Sequence, residues 1–402
     1  MMKKLLSLEN LTLLGIVLGI AFGYFFPQTA LELAFLGKLY LSLLKMLIIP
    51  LVVASIYIAI TGLSSTDELK DIGLKAFAYY FTTTALAVTL GLIIFNIFDP
   101  GHGATVALPQ SGSHPAPKEL SIGDFILSFV PTNIFEALSK GAILPIIFFT
   151  ILFAIASIHI AKGKKEFLYT FFDSINDAMM VLAKWIIALT PGGVFFLIAA
   201  TVGKSGLDPL FELYSYALTV LFALALHATV VLPALAYFIG RFNPYRYFLA
   251  IKEAPLIAFS TASSSATLPV SIEVAEEKGE VDKKIAGFVL PLGATINMDG
   301  TALYESIAVM FIANLAGVDL SLSQQIIIFV TATFASIGAA GIPGAGLIMM
   351  TLILDSVGLP SEYIALIIAV DRFLDMFRTS INVWGDLLGA KLIDALWRRR
   401  HT

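Results

Sequence analysis

Apolar residues run in stretches near 10–27, 36–62, 73–97, 122–160, 170–200 and 209–240, separated by charged or Gly/Pro-rich connections. A helix needs about 20 apolar residues to cross the hydrocarbon core of a bilayer, and no lipid-exposed backbone can cross unpaired. The pattern therefore predicts several membrane-spanning helices and an all-α membrane protein. From 245 to 398 the chain stays apolar, but polar and small residues interrupt the stretches repeatedly.

The connections carry the orientation signal. Lys3 and Lys4, Lys70 and Lys75, Lys162, Lys164 and Lys165, and Arg241 and Arg246 fall on alternate connections. Lys278, Lys283 and Lys284 and the terminal Arg398, Arg399 and Arg400 continue the alternation, whereas the opposite side carries little beyond Lys118 and Lys204. Positive loops stay in the cytoplasm, so both termini are expected there, in a multi-pass protein of the cell (inner) membrane. The first apolar segment ends in Gly23-Tyr-Phe-Phe-Pro27 without a small-residue cleavage site and is expected to be retained. Residues 99–121, rich in Gly, Pro and His, are expected to form an external flexible loop in which a metal role for His102 and His114 has little support.

Composition narrows the class further. Of 402 residues, 58% are hydrophobic and 13% charged, with a mean hydropathy of +0.89. A water-facing surface needs more charge than that. The chain has no cysteine, which excludes disulfides, thiolate catalysis and cysteine metal ligands. Nothing in it points to nucleic acid.

Three features of the last two-fifths are costly in lipid. The first is a pair of interrupted apolar segments, around Ser260-Thr-Ala-Ser-Ser-Ser-Ala-Thr-Leu-Pro269 and Ala335-Ser-Ile-Gly-Ala-Ala-Gly-Ile-Pro-Gly-Ala-Gly346. Each reads as a re-entrant helical hairpin with an unwound tip, which is tolerated where it lines a protein cavity. Two kinked helices packed by small residues are the structural alternative. The second is Gly293-Ala-Thr-Ile-Asn-Met-Asp-Gly-Thr301 in mid-span, where glycines let a helix unwind. Exposed carbonyls, an Asp carboxylate and Asn oxygens suit a hard cation. The third is the last span, where Asp371, Asp375, Arg378, Thr379, Asn382 and Asp386 have offsets of 0, 4, 7, 8, 11 and 15. At 3.6 residues per turn they occupy an arc of about 100° on one face. Each central charge costs about 2.5–3.5 kcal/mol to insert, so the stripe reads as functional.

These segments, with Lys45-Met-Leu-Ile-Ile-Pro50, Asn297-Met-Asp-Gly-Thr301 and Asp375-Met-Phe-Arg-Thr-Ser-Ile-Asn382, resemble the glutamate transporter family, the dicarboxylate/amino-acid:cation symporters, over essentially the whole chain. The resemblance implies eight transmembrane helices, two re-entrant hairpins, inverted repeats and a homotrimer. It implies a scaffold domain (1–70 and 122–205), a transport domain (71–98 and 206–398) that moves like an elevator, and symport of L-aspartate or L-glutamate. No cofactor is implied; sodium is the coupling ion.

Residue roles follow from the same resemblance. Arg378 would clamp the substrate's side-chain carboxylate and Asp375 its α-amino group. Asn382, Ser264 and Ser265, with backbone near Ile342 and Gly346, would hold the α-carboxylate. Thr301 and Thr379 would line the pocket. One sodium site would use Asp386, Asn382, Gly293 and Asn297. A second would use Thr295, Ser336, Ile337 and Ala339, and a third Tyr80, Thr83, Thr84, Asn297 and Asp299. Arginine and aspartate together favour an acidic amino acid over neutral amino acids or C4-dicarboxylates. The family's second arginine is replaced by Ala262 and Met376, with Arg372 one turn before Met376 as a substitute. Glu305 matches a proton-carrying glutamate, which leaves sodium, proton, or combined coupling as alternatives. The different-class rival is an intramembrane aspartyl protease using Asp299 and Asp386, but the stripe alternates carboxylates with Arg and Asn, unlike a dyad sharing one proton. A serine hydrolase lacks its motif around Ser263–Ser265, and a plain channel does not need two hairpins.

Overall fold

The computed structural model describes residues 8–62, 67–101, 127, 130–337, 339 and 344–401, and among these every regular element is helical. The first three helices are α1 (Leu8–Phe25), α2 (Pro27–Glu32) and α3 (Ala34–Thr61). α1 carries Gly15, Gly19 and Gly23 on one side. A methyl group at any of these would strike the backbone oxygen of Pro191, Phe195 or Ala199. The glycine stripe thus lets α1 lie backbone-to-backbone against the later helix α8 (Thr190–Ser205), the packing expected where lipid offers no hydrophobic drive between helices.

Two expected spans differ from the sequence pattern. From residue 130 on, the stretch 122–160 forms two short helices, α5 (Ile134–Lys140) and α6 (Ile143–Ile158), with Gly141 in the left-handed region (φ 67°) ending the first. Asn133 caps α5 by accepting from the Phe135 and Glu136 N–H groups. The stretch 170–200 is a pair, α7 (Lys162–Ala188) and α8, bent by 52° where Pro191 enters the first turn of α8. Apolarity hides both breaks, because it persists across them.

α4 (Asp67–Phe98) and α9 (Asp208–Leu226) follow the pattern. The α9 rod continues through π-helical His227–Val231, a short α-turn Leu232–Leu235 and π-helical Ala236–Gly240. Wide turns release carbonyls from the helix ladder. Here Trp384 Nε1 donates to Ala228 O at 3.1 Å and the Tyr245 hydroxyl to Thr229 O at 2.8 Å. By length and apolarity, Pro27–Ile58, Asp71–Phe98 and Leu213–Gly240 can each cross a bilayer, as can the bent α7–α8 pair taken together.

The remaining helices are α10 (Pro244–Ile251), α11 (Glu253–Thr261), α12 (Ser264–Glu277), α13 (Lys283–Ile296), α14 (Asp299–Leu315), α15 (Leu322–Ile337), α16 (Ala345–Ser356) and α17 (Ile364–His401). α11 and α12 pack on each other across a break, and so do α15 and α16. The first break is tighter than an unwound Ser260–Pro269 segment: Ala262 sits in the left-handed region (φ 48°) and Ser263 caps α12, so only these two residues leave the helix. The second tip, with Ile342, lies outside the described residues, as do His102 and His114.

Packing sorts the helices into two groups. α1, α3, α6, α7 and α8 pack mainly on one another, and α4, α9 and α11–α17 do the same around α14 and α17. α14 is buried along almost its whole length. α17 is one unbroken helix whose centre touches α11, α13, α14 and α16, which is why polar residues on it can be hidden from lipid.

Candidate functional site

The polar stripe of α17 faces the protein interior. Asp371, Asp375, Arg378, Thr379, Asn382 and Asp386 are all buried. Arg378 is wholly hidden from solvent, with Nη2 at 3.0 Å from Asp371 Oδ1 and 2.9 Å from Asp375 Oδ1. Its guanidinium lies over the Tyr304 ring, 3.9 Å from the centroid, and the Tyr304 hydroxyl donates to Asp371 Oδ1 at 2.8 Å. Two carboxylates and an aromatic face therefore offset the cost of burying the cation. Its Nε and Nη1 donors have no hydrogen-bond partner among the described residues. The charge is balanced while the directional hydrogen-bonding capacity stays open, as a carboxylate receptor requires.

The break between α15 and α16 borders this cation. A methyl group on Gly346 would lie 2.8 Å from Arg378 Nη1, so glycine permits α16 to approach. The Gly344 N–H donates to Asp375 Oδ2 at 3.1 Å. Ser264 is buried at the other break and Ser265 is exposed. Ser380 ties the two elements by donating to Pro255 O of α11 at 2.9 Å.

The α13–α14 junction meets α17 one turn further on. Asn297 and Met298 leave the helical region there, so the chain unwinds between Gly293 and Gly300. Neither Gly293 nor Gly300 has a positive φ; both allow close packing. A methyl group on Gly293 would collide with Asp386 and the Tyr80 hydroxyl, and one on Gly300 with the Arg378 backbone. Asn382 Oδ1 accepts from Gly300 N at 2.8 Å, and its Nδ2 lies 3.3 Å from Thr301 Oγ1. Asn297 Nδ2 donates to Asp386 Oδ1 at 2.8 Å and to Asn382 O at 3.2 Å. Asn297 Oδ1 is buried without a partner among the described residues. Gly293, Asn297, Asn382 and Asp386 thus converge on one oxygen-rich point.

A second oxygen cluster lies against α4. Asp299 Oδ1 accepts from Thr83 at 3.1 Å and Thr84 at 2.7 Å. Tyr80 donates instead to Val289 O at 3.0 Å. His227, which the sequence pattern did not single out for the site, brings Nε2 to 3.3 Å from Asp299 Oδ2. Its signal was a lone histidine in an apolar span, but its partner is 72 residues away in sequence. Thr295 Oγ1 donates to Pro291 O at 2.7 Å. It lines a chamber of about 280 Å³ with Ser55, Tyr169 and Asn176, whereas Ser336 and Ile337 face Tyr80, Thr84 and Ile296. Ala339, beyond α15, is buried.

Glu305 is completely buried on α14, and neither carboxyl oxygen has a hydrogen-bond partner among the described residues. An ionised carboxylate left unpaired in this way is costly.

Comparison with known proteins identifies the family. The profile of the sodium:dicarboxylate symporter family matches residues 8–396. Excitatory amino acid transporter 3 of Mus musculus is 38% identical over 449 residues, covering 98% of this chain and 86% of the mouse protein. The proton/glutamate-aspartate symporter of Escherichia coli K12 is 38% identical over 379 residues, covering 90% of this chain and 85% of that protein. The proton/sodium-glutamate symport protein of Geobacillus stearothermophilus is 34% identical, covering 96% and 94%. The chain belongs to the sodium:dicarboxylate symporter family and is a membrane transporter, not an enzyme.

Proposed function

We propose that this member of the sodium:dicarboxylate symporter family carries L-aspartate or L-glutamate together with sodium by alternating access. The observation that supports it most is Arg378: a fully buried guanidinium whose Nε and Nη1 have no partner among the described residues, next to the carboxylate of Asp375 and between two helix breaks. A planar fork matches a carboxylate bidentately, and the adjacent aspartate suits an ammonium. A substrate bearing both groups satisfies the pair; a neutral amino acid or a simple dicarboxylate satisfies half of it.

In this reading Arg378 takes the side-chain carboxylate and Asp375 the amine. Asn382, Ser264, Ser265 and backbone near Ile342 and Gly346 take the α-carboxylate, with Thr301 and Thr379 alongside. Asp386, Asn382, Gly293 and Asn297 receive one sodium. Tyr80, Thr83, Thr84, Asn297 and Asp299 receive another, and Thr295 with Ser336, Ile337 and Ala339 a third. Residues 1–70 and 122–205 form the static trimer scaffold. Residues 71–98 and 206–398, with two re-entrant hairpins among eight spans, slide past it. The protein would sit in the cell (inner) membrane with both termini in the cytoplasm.

A second coupling reading rests on Glu305, whose buried unpartnered carboxyl group supports a role as a proton carrier beside or in place of sodium. The names of the Escherichia coli and Geobacillus relatives include protons, and that of the latter includes sodium as well. Uptake of labelled aspartate into proteoliposomes under separately imposed sodium and proton gradients tests both. Sodium-driven uptake supports the first reading, and uptake driven by a proton gradient alone supports the second. No uptake of either acidic amino acid under either gradient refutes the substrate assignment.

A further inference from the structure

Arg372 is the second cation of this region, and its surroundings differ from those of Arg378. Arg378 is locked by two carboxylates and an aromatic ring with no exposed surface. Arg372 keeps 20% of its side-chain surface, and its Nη1 is 3.5 Å from Asp375 Oδ2. It also borders a cavity of about 40 Å³ with Asp371 and Gly344. The opposite wall of that cavity comes from the other packing group, through Thr12, Tyr40 and Thr190. The Tyr40 and Thr190 hydroxyls are hydrogen-bonded to each other at 2.9 Å.

The two oxygens of Asp375 therefore have different company. Oδ1 belongs to Arg378. Oδ2 is shared by the Gly344 N–H, carried on a helix break, and by Arg372. An ammonium group arriving at Asp375 must take Oδ2, the oxygen whose partners can withdraw. With no amine bound, Arg372 adds a second cation to the Asp371–Asp375 pair, which otherwise shares the single charge of Arg378.

We infer that Arg372 is a tethered competitor for the amine: it occupies the ammonium seat on Asp375 Oδ2 in the empty carrier and yields it to an amine-bearing substrate. It is a positioning residue that sets both affinity for the amine and the preference for amino over non-amino dicarboxylates. The inference rests on the proposal that Asp375 receives the substrate amine.

The test is equilibrium binding of L-aspartate and of succinate, at saturating sodium, to the purified full-length protein and to Arg372→Ala, Arg372→Gln and Arg372→Lys. Removing the competitor should tighten aspartate by about fivefold, the factor carried by one ion pair near a surface. Succinate has no ammonium to replace the lost charge and should weaken, so the aspartate-to-succinate preference widens. Arg372→Lys should stay close to the unmodified protein. Added guanidinium ion should compete with aspartate in Arg372→Ala and not in the parent. Equal shifts for both ligands, weaker aspartate binding, or no guanidinium competition would make Arg372 a structural ion pair and overturn the inference. If Arg372→Ala does not fold, Arg372→Gln and Arg372→Lys decide the ligand comparison. A parent protein that binds no aspartate instead sinks the underlying substrate reading.

Discussion

Replacing Arg378 by alanine removes the cation that pairs with both Asp371 and Asp375, at 3.0 and 2.9 Å. Two effects separate. In the empty protein, breaking a buried pair costs about 3–5 kcal/mol, because a charge is left without its partner. Arg372 still faces Asp375, so Asp371 suffers most. In the bound state the substrate's second carboxylate would meet two carboxylates and no guanidinium. A loss of the same order, at 1.4 kcal/mol per tenfold, lowers aspartate affinity from about a hundredfold to a few thousandfold. Serine and alanine lack that carboxylate and should lose far less. The double variant Arg378→Ala/Asp371→Asn should recover much of the thermal stability and none of the aspartate affinity. Thermal unfolding with calorimetric binding of aspartate and serine at saturating sodium separates stability from recognition. A folded Arg378→Ala protein with parental aspartate affinity would refute the reasoning.

The other predictions concern ions. Asp386→Asn replaces a carboxylate at the oxygen cluster with a neutral amide, so sodium activation of uptake should shift to higher concentration while the aspartate-to-serine preference is kept; superimposed sodium curves would count against the assignment. Gly293→Ala would place a methyl group 2.5 Å from the Tyr80 hydroxyl. Overpacking of this kind costs about 1–3 kcal/mol. It should lower the melting temperature and weaken sodium activation, and a variant with unchanged melting and sodium titration would show that α13 can move aside. Glu305→Gln should keep sodium-dependent aspartate binding and abolish any response of uptake to an imposed proton gradient; a parent protein that ignores the gradient removes the proton role.

Much of the chemistry was legible because lipid is an unforgiving solvent. A charge or hydroxyl run in an apolar span stands out, so the Asp371–Asp386 stripe, Asn297 to Thr301 and the hydroxyl run at Ser263–Ser265 could be found from order alone. Apolar length was a weaker guide to where helices stop. Residues 122–160 and 170–200 look continuous, yet Gly141 and Pro191 divide them, since a breaker in an apolar run changes direction without changing hydropathy. Pro269 misled in the other direction: it sits inside α12, and Ala262 and Ser263 make the break.

Pairings across the fold lay beyond the sequence. Nothing local says that His227 reaches Asp299, that Arg372 shares Asp375 with a backbone N–H, or that Thr295 lines a chamber with Ser55 and Asn176. Glycines 293 and 300 flank the unwound Asn297–Met298, and only the fold shows that they also admit close neighbours. The sequence by itself determined which side chains are too costly to face lipid, because transfer energy belongs to each residue alone. The tertiary structure decided which of them meet, because contact depends on where α4, α9, α14 and α17 cross, and those crossings are set by packing between segments far apart in the chain.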